Sequence, residues 1–137
     1  MDQNIGRDSV MKAWVQGINA ITLFVEDVQA AKLFYRKVFH MEEIFEDRDS
    51  TVFKFGDLLV NLLYSRAADE LIHPAKVGNS MDGSHFVITI RVDDVDKKCV
   101  ELAKLGVALL NGPMDRPWGP RTASFMDPGG YIWEIAH

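Results

Sequence analysis

The stretch Ile21-Thr-Leu-Phe-Val-Glu-Asp27-Val28 returns later in the chain as Ile88-Thr-Ile-Arg-Val-Asp-Asp94-Val95, with every aligned position 67 residues further on. Apolar residues alternate with other residues in both copies, which predicts a half-buried β-strand. Each strand runs into an acidic pair that is suited to cap the N-terminus of a helix. A repeat of this length therefore predicts two copies of one structural unit.

The residues after each copy continue the same plan. Apolar residues recur at helical spacing from Val28 to Val38 and from Val95 to Leu105, and Gly106 is a natural stop for the second helix. Three short strands are expected after each helix: 43–47, 51–55 and 58–64 in the first half, then 108–111, 122–126 and 131–136 in the second. The sequence therefore predicts an α+β fold of two tandem βαβββ modules.

The module boundaries follow from this pattern. We expect an N-terminal arm at 1–16, a first module at 17–64, a connecting loop at 65–84 and a second module at 85–137. The loop is predicted from Pro74, Gly78 and Gly83. Together these parts should form one compact domain, since 137 residues is the length of a typical single domain.

Composition excludes several classes of protein. The formal net charge of −5 argues against a general nucleic-acid binder, which usually carries a basic face. The sequence contains no run of 18 apolar residues, so no membrane span is predicted. Met1 to Ser9 are polar and lack the apolar core of a secretory signal. A single cysteine, Cys99, makes neither an internal disulfide nor a cysteine metal cluster. We expect a cytoplasmic protein with no membrane or nucleic-acid partner.

The motifs together resemble one family. The strand motif is followed by an Ala-x-x-Phe-Tyr helix at 31–35, and the chain ends with Pro-Trp-Gly-Pro-Arg at 117–121 and Phe-x-Asp-Pro-Gly-Gly at 125–130. This pattern resembles the vicinal oxygen chelate superfamily, which includes glyoxalase I, bleomycin-resistance proteins and extradiol dioxygenases. It covers about 17–137, and the Trp-Gly-x-Arg run favours the bleomycin-resistance-like branch. The resemblance implies half-cup modules and a homodimer whose ligand pits are built from paired modules.

The resemblance also implies where a metal would bind. The family's ligands on the first strands stand seven residues before the strand-end aspartates, which places Ala20 and Val87 there. The matching positions on the last strands are Asn61 and Glu134. Alanine and valine have no lone pair for a metal, so we predict a pit without a metal or other cofactor. The alternative is a single divalent metal at a displaced site formed by Glu134, Asn61 and His85.

Strand alternation predicts the side chains that face the pit. Glu134 is also the one candidate for a catalytic general base, because burial raises the pKa of a carboxyl group. The Trp118 ring would be available for stacking. Arg91 and Arg121 would favour an anionic ligand, whereas Glu134 would favour a ligand with an amine. The predicted ligand-binding residues are Ala20, Thr22, Phe24, Asn61, Leu63, His85, Val87, Thr89, Arg91, Trp118, Arg121, Ile132 and Glu134.

Three functions are compatible with this pattern. The first is metal-independent sequestration of an aromatic or amphipathic small molecule, as in drug resistance. The second is a metal-dependent lyase, isomerase or dioxygenase with the displaced site. The third is a structural or regulatory protein whose pit is filled by its own side chains. The loss of both first-strand donors favours the first function.

Overall fold

A computed structural model describes residues 12–137 of the chain. Its elements, in chain order, are β1 (Ala20–Val25), α1 (Val28–Phe39), β2 (Glu43–Glu46), β3 (Ser50–Phe55), β4 (Leu58–Tyr64), α2 (Ser65–Ile72), β5 (Val87–Arg91), α3 (Val95–Lys104), β6 (Leu109–Asp115), β7 (Arg121–Met126) and β8 (Ile132–Ala136). The predicted arm is described only from residue 12 onward. Residues 12–19 are exposed and belong to no helix or strand, and the arm's first eleven residues lie outside the described residues.

The strands form two four-stranded sheets with the same topology. The first sheet has the order β1-β4-β3-β2 and the second has the order β5-β8-β7-β6. In each sheet the first strand runs parallel to the last, and the other neighbours are antiparallel. The predicted α+β fold of two βαβββ modules is therefore confirmed.

The acidic pairs after the first strands begin the helices as predicted. Asp27 accepts a hydrogen bond from the backbone N–H of Ala30 at 3.1 Å, and Asp94 accepts one from Lys97 at 3.0 Å. Both bonds satisfy an N–H group that has no partner inside its helix. The two copies of the repeat thus fold alike because the same local capping starts each helix.

The connection between the modules differs from the loop that was predicted. Its first part is the helix α2, which turns Ala68 into the core, where the side chain is fully buried. The stretch Arg66-Ala-Ala-Asp-Glu-Leu71 contains strong helix formers, and Pro74 stops the helix soon after its end. The loop was predicted from Pro74, Gly78 and Gly83, which all lie after this helix-favouring stretch.

Strand β6 also differs from the prediction, which ended it at 111. The strand continues to Asp115 through an irregularity between Asn111 and Met114. Gly112 lies in this irregularity with a φ of 87°. A Cβ atom at Gly112 would lie 2.5 Å from the carbonyl oxygen of Thr122, so only glycine lets the two strands stay paired here.

The two modules share one hydrophobic core. Trp133 of the second sheet is fully buried, and its ring centroid lies 4.7 Å from that of Phe39 and 5.5 Å from that of Phe55. Tyr35, on α1, packs edge-on against the same indole at 5.7 Å. The two sheets therefore face each other through the sides that carry the helices, and the shared core lies between them.

A buried carboxylate holds this junction together. Asp127 accepts hydrogen bonds from the Tyr35 hydroxyl at 2.9 Å and the Trp133 indole N–H at 3.0 Å. Its other oxygen accepts the backbone N–H groups of Gly129 at 2.8 Å and Tyr131 at 3.1 Å. Burial raises the pKa of Asp127 above its ordinary value, and these donors oppose the shift.

We expect Asp127→Asn to lower the free energy of unfolding by about 2–4 kcal/mol, because an amide nitrogen would face a buried donor. Urea denaturation at pH 7 measures the change. The matched control is Asp57→Asn, at an exposed aspartate in the turn between β3 and β4, which should change stability by less than about 0.5 kcal/mol. Equal effects of the two substitutions would contradict a role for Asp127 at the junction.

The difference in stability between wild type and Asp127→Asn should depend on pH. The raised pKa means that the folded state binds the proton of Asp127 more tightly than the unfolded state does. The stability difference between wild type and D127N should therefore shrink as pH rises from the unfolded pKa of about 3.9 through the folded pKa. Denaturation midpoints of both proteins across this pH range test the sign.

Gly112→Ala should destabilise the protein by about 3 kcal/mol, because the new methyl group meets the β7 backbone and the positive φ is strained. Gly83→Ala is the matched control. Gly83 has a φ of 86°, and a Cβ atom there would meet nothing within 4 Å. It should cost only about 1 kcal/mol for the backbone strain. A similar loss in both variants, measured by urea denaturation, would show that the contact with β7 is unimportant.

Candidate functional site

The concave face of the first sheet carries the predicted residues of the first module. The strand register places Thr22 beside Asn61 and Phe24 beside Leu63, with Ala20 beside Leu59 at the start of β1. Ala20 and Thr22 are exposed, and Phe24 is partly buried. Sequence alternation thus identified the side chains of this face correctly.

Asn61 has an unusual environment on this face. Its Oδ1 atom is buried and has no hydrogen-bond partner within the described residues. Buried polar atoms in proteins almost always have a partner, so an unpaired one calls for a donor from water, a ligand or another chain. Because the protein itself covers Oδ1, Asn61 presents this acceptor to a molecule on the concave face only when its side-chain amide turns over.

The second sheet has the equivalent face. Thr89 lies beside Glu134, and Val87 lies beside Ile132. The Thr89 hydroxyl donates a hydrogen bond of 2.9 Å to Oε1 of Glu134. This bond fixes the orientation of a half-buried carboxylate and leaves Oε2 for another donor. Arg91, at the end of the same strand, is exposed beside Ala136.

Arg116 belongs to this face, although the sequence did not single it out. Its Nε donates to the Thr122 hydroxyl at 2.8 Å, and a terminal nitrogen donates to Asn111 at 2.7 Å. Thr122 shares the concave side of the sheet with Glu134, since the register aligns Thr122 with Ala136 and Ser124 with Glu134. The available signal was a basic residue in the loop 116–120 between β6 and β7, but nothing local shows that this loop folds back.

The structure corrects the position expected for Arg121. Its side chain makes a salt bridge to Asp96 on α3 at 2.8 Å and another to Asp115 at 3.1 Å. Arg121 precedes Thr122 in β7, so alternation turns it to the helix side of the sheet. These carboxylates raise the pKa of Arg121 further and hold it away from the pit.

Two other predicted residues lie at the margins of the face. Trp118 is in the loop between β6 and β7, where 71% of it is exposed, and Arg116 lies over its ring at 5.9 Å. His85 is exposed and precedes β5. It lies in a bend outside β5, so the strand register does not place it beside Glu134.

The two concave faces are not turned toward each other within one chain. The helix-bearing sides of both sheets meet at Trp133, so the opposite sides point outward. The residues predicted to line one pit thus form two half-sites, one on each module. Their roles in ligand binding remain predictions.

The side chains at the family's metal positions do not fit a metal. Ala20 and Val87 have no donor atom, Asn61 offers a weak amide ligand, and Glu134 is the one strong ligand of the four. Within residues 12–137, no three His, Cys, Asp or Glu side chains are grouped so that they could hold an ion. The displaced set of Glu134, Asn61 and His85 remains a prediction.

None of the helices formed by residues 12–137 has the length and apolar character that a membrane crossing requires.

Known proteins share this architecture. A curated relative, the uncharacterized protein YraH of Bacillus subtilis (strain 168), is 30% identical over 121 residues, which cover 84% of this chain and 93% of YraH. The fold is similar to that of a glyoxalase-related enzyme from Fulvimarina pelagi, with a TM-score of 0.77, 22% identity and coverage of 89% of this chain and 88% of the other. It is also similar to TnmS3, an antibiotic binding protein from Streptomyces sp. CB03234, with a TM-score of 0.68, 23% identity and coverage of 90% and 97%.

The two sheets, their order and the repeated strand–helix motif agree with a family model that matches residues 17–135. That match covers both modules. The chain therefore belongs to the glyoxalase/bleomycin resistance protein/dioxygenase superfamily.

Proposed function

We propose that this protein binds an aromatic or amphipathic small molecule without a metal and sequesters it, as a drug-resistance protein does. The observation that carries the proposal is the chemistry of the four family positions. Two of them, Ala20 and Val87, have no donor atom, while the surrounding concave faces keep apolar surface and a few polar anchors. Apolar walls with a small number of placed polar groups are typical of small-molecule sites.

The proposal includes a homodimer. Each chain presents two open half-sites, so a closed pit needs the first module of one copy and the second module of another. Apolar side chains on these faces support such pairing: Phe45 is 54% exposed, Val87 48% and Met126 45%. Exposed apolar surface of this kind is typical of interaction sites.

The polar groups of the half-sites define the ligand's chemistry. Glu134 accepts from an amine or hydroxyl through Oε2, and Asn61 adds a side-chain amide on the other half-site. Arg116 is held by Thr122 and Asn111 and presents a cationic edge beside Trp118. A flat ring stacked on Trp118 and carrying a donor for Glu134 would use both of these groups. The antibiotic-binding TnmS3 supports this class of ligand through its fold.

We expect chelator-treated protein to bind at least one member of a panel of aromatic, amine-bearing antibiotics, as measured by isothermal titration calorimetry. Trp118→Ala should weaken that binding about tenfold, because stacking area is lost. Glu134→Gln should weaken an amine more than its uncharged analogue. Trp14→Ala, at an exposed tryptophan outside both half-sites, is the control and should bind like wild type.

Two results would contradict this proposal. One is the absence of binding across the panel. The other is one transition metal per chain in protein purified without chelator, lost in Glu134→Ala, which would favour the metal-dependent enzyme.

The pairing of modules can be tested by mixing two blocked variants. Asn61→Trp obstructs the first half-site and Glu134→Lys the second, so each variant alone should not bind. Refolding an equal mixture of the two variants should give heterodimers. If each pit joins modules of different copies, one pit of a heterodimer carries both changes and the other pit carries neither. Binding should return to about a quarter of the wild-type capacity, since half of the dimers are mixed. No recovery, with heterodimers present by mass spectrometry, would show that modules pair within a chain.

A further inference from the structure

A second cavity lies on the other side of the sheets. It is a cleft of about 500 Å³ between the end of α1 and the helix α3, and we call it the interhelical cleft. Its lining includes Val38 and Phe39 from α1, Leu102 from α3 and Leu105 directly after it, and Ile90 and Ile135 from the second sheet. Because these residues are on the helix-bearing sides of the sheets, the cleft is separate from both concave half-sites.

The interior of the cleft is apolar. Phe125 and Leu102 are almost fully buried, whereas Phe39, Phe55 and Leu105 remain partly exposed in the same space. Partly exposed aromatic and aliphatic side chains in a concave cleft gain free energy when an apolar group covers them. The volume lies within the range of about 300–1,000 Å³ that is usual for small-molecule sites.

The lining of the cleft's mouth carries one net positive charge, and Asp93, Asp94 and Lys97 lie in the groove that adjoins it. Lys98 and Lys104 contribute two ammonium groups, and Glu101 contributes one carboxylate, which accepts a hydrogen bond from Lys98 at 2.7 Å. His40 adds an imidazole at the same rim. This sign is opposite to the net charge of −5 on the whole chain. A basic mouth over an apolar interior is complementary to a molecule with an anionic head and an apolar body.

We propose that the interhelical cleft is a second binding site and that it takes an amphipathic monoanion, such as a medium-chain or arylalkyl carboxylate. The apolar body lies against Phe39, Phe55 and Leu105, and the carboxylate lies at the mouth near Lys104 and Lys98. This site does not depend on the function proposed for the concave faces, since it shares no lining residue with them.

The probe for this site is sodium decanoate, compared with decyltrimethylammonium of the same chain length, both below their micellar concentrations. In full-length protein with labelled isoleucine and leucine methyl groups, decanoate should shift the NMR signals of Ile90, Ile135 and Leu105 saturably. The methyl signals of Ile132 and Leu63, on the concave faces, should move much less. The cationic probe should bind at least tenfold more weakly.

Variants separate the apolar and charged contributions. Leu105→Trp fills the cleft and should weaken decanoate binding at least tenfold, and its circular dichroism should match that of wild type. Lys104→Glu, at the surface, should weaken decanoate at least fivefold, with a smaller difference at high salt because screening reduces the charge effect. Lys76→Glu makes the same charge change in the connecting segment and should stay within twofold of wild type.

Four outcomes would overturn the proposal. Decanoate could shift Ile132 and Leu63 in place of the cleft methyls, the cationic probe could bind as tightly as decanoate, or saturable shifts could be absent at millimolar decanoate. A smaller mass of Leu105→Trp than of wild type, measured by sedimentation, would also overturn it, because the cleft would then be an interface between copies.

Discussion

The carboxylate of Asp127 connects the two halves of this protein. It accepts the Tyr35 hydroxyl from the first module and the Trp133 indole N–H from the second, while two backbone N–H groups of its own turn hold its other oxygen. A buried charge is tolerated only when such donors surround it. The aromatic cluster around Trp133 packs on this network, so the position of each sheet relative to the other depends on it.

This junction decides where function can reside. Because the helix-bearing sides of both sheets face the shared core, the concave faces are left on the outside of the chain. Each face carries part of the chemistry: the Asn61 side-chain amide on one, and Glu134 with Arg116 on the other. The same packing leaves a cleft between α1 and α3, so one core arrangement produces the two half-sites and the interhelical cleft.

Residues close in sequence were predicted more reliably than those brought together by the fold. Alternation in β1, β4, β5 and β8 placed Thr22, Asn61, Thr89 and Glu134 on the concave faces, since alternation is a local property of a strand. Alternation does not predict where a side chain points when its residue lies outside the predicted strands. Arg121 turned to α3 because it starts β7, and Arg116 entered the face because its loop folds back onto Thr122.

By itself the sequence determined the repeated unit, the caps at Asp27 and Asp94, and the order of strands along the chain, because hydrophobic period and capping act over a few residues. It also shows that Ala20 and Val87, where the resemblance implies metal ligands, have no donor atom. Only the tertiary structure decided that α2 begins the connection, that β6 runs on through Gly112, and that the modules meet through their helix-bearing sides. These features depend on contacts between distant residues, such as Tyr35 with Asp127, whose energies no local pattern expresses.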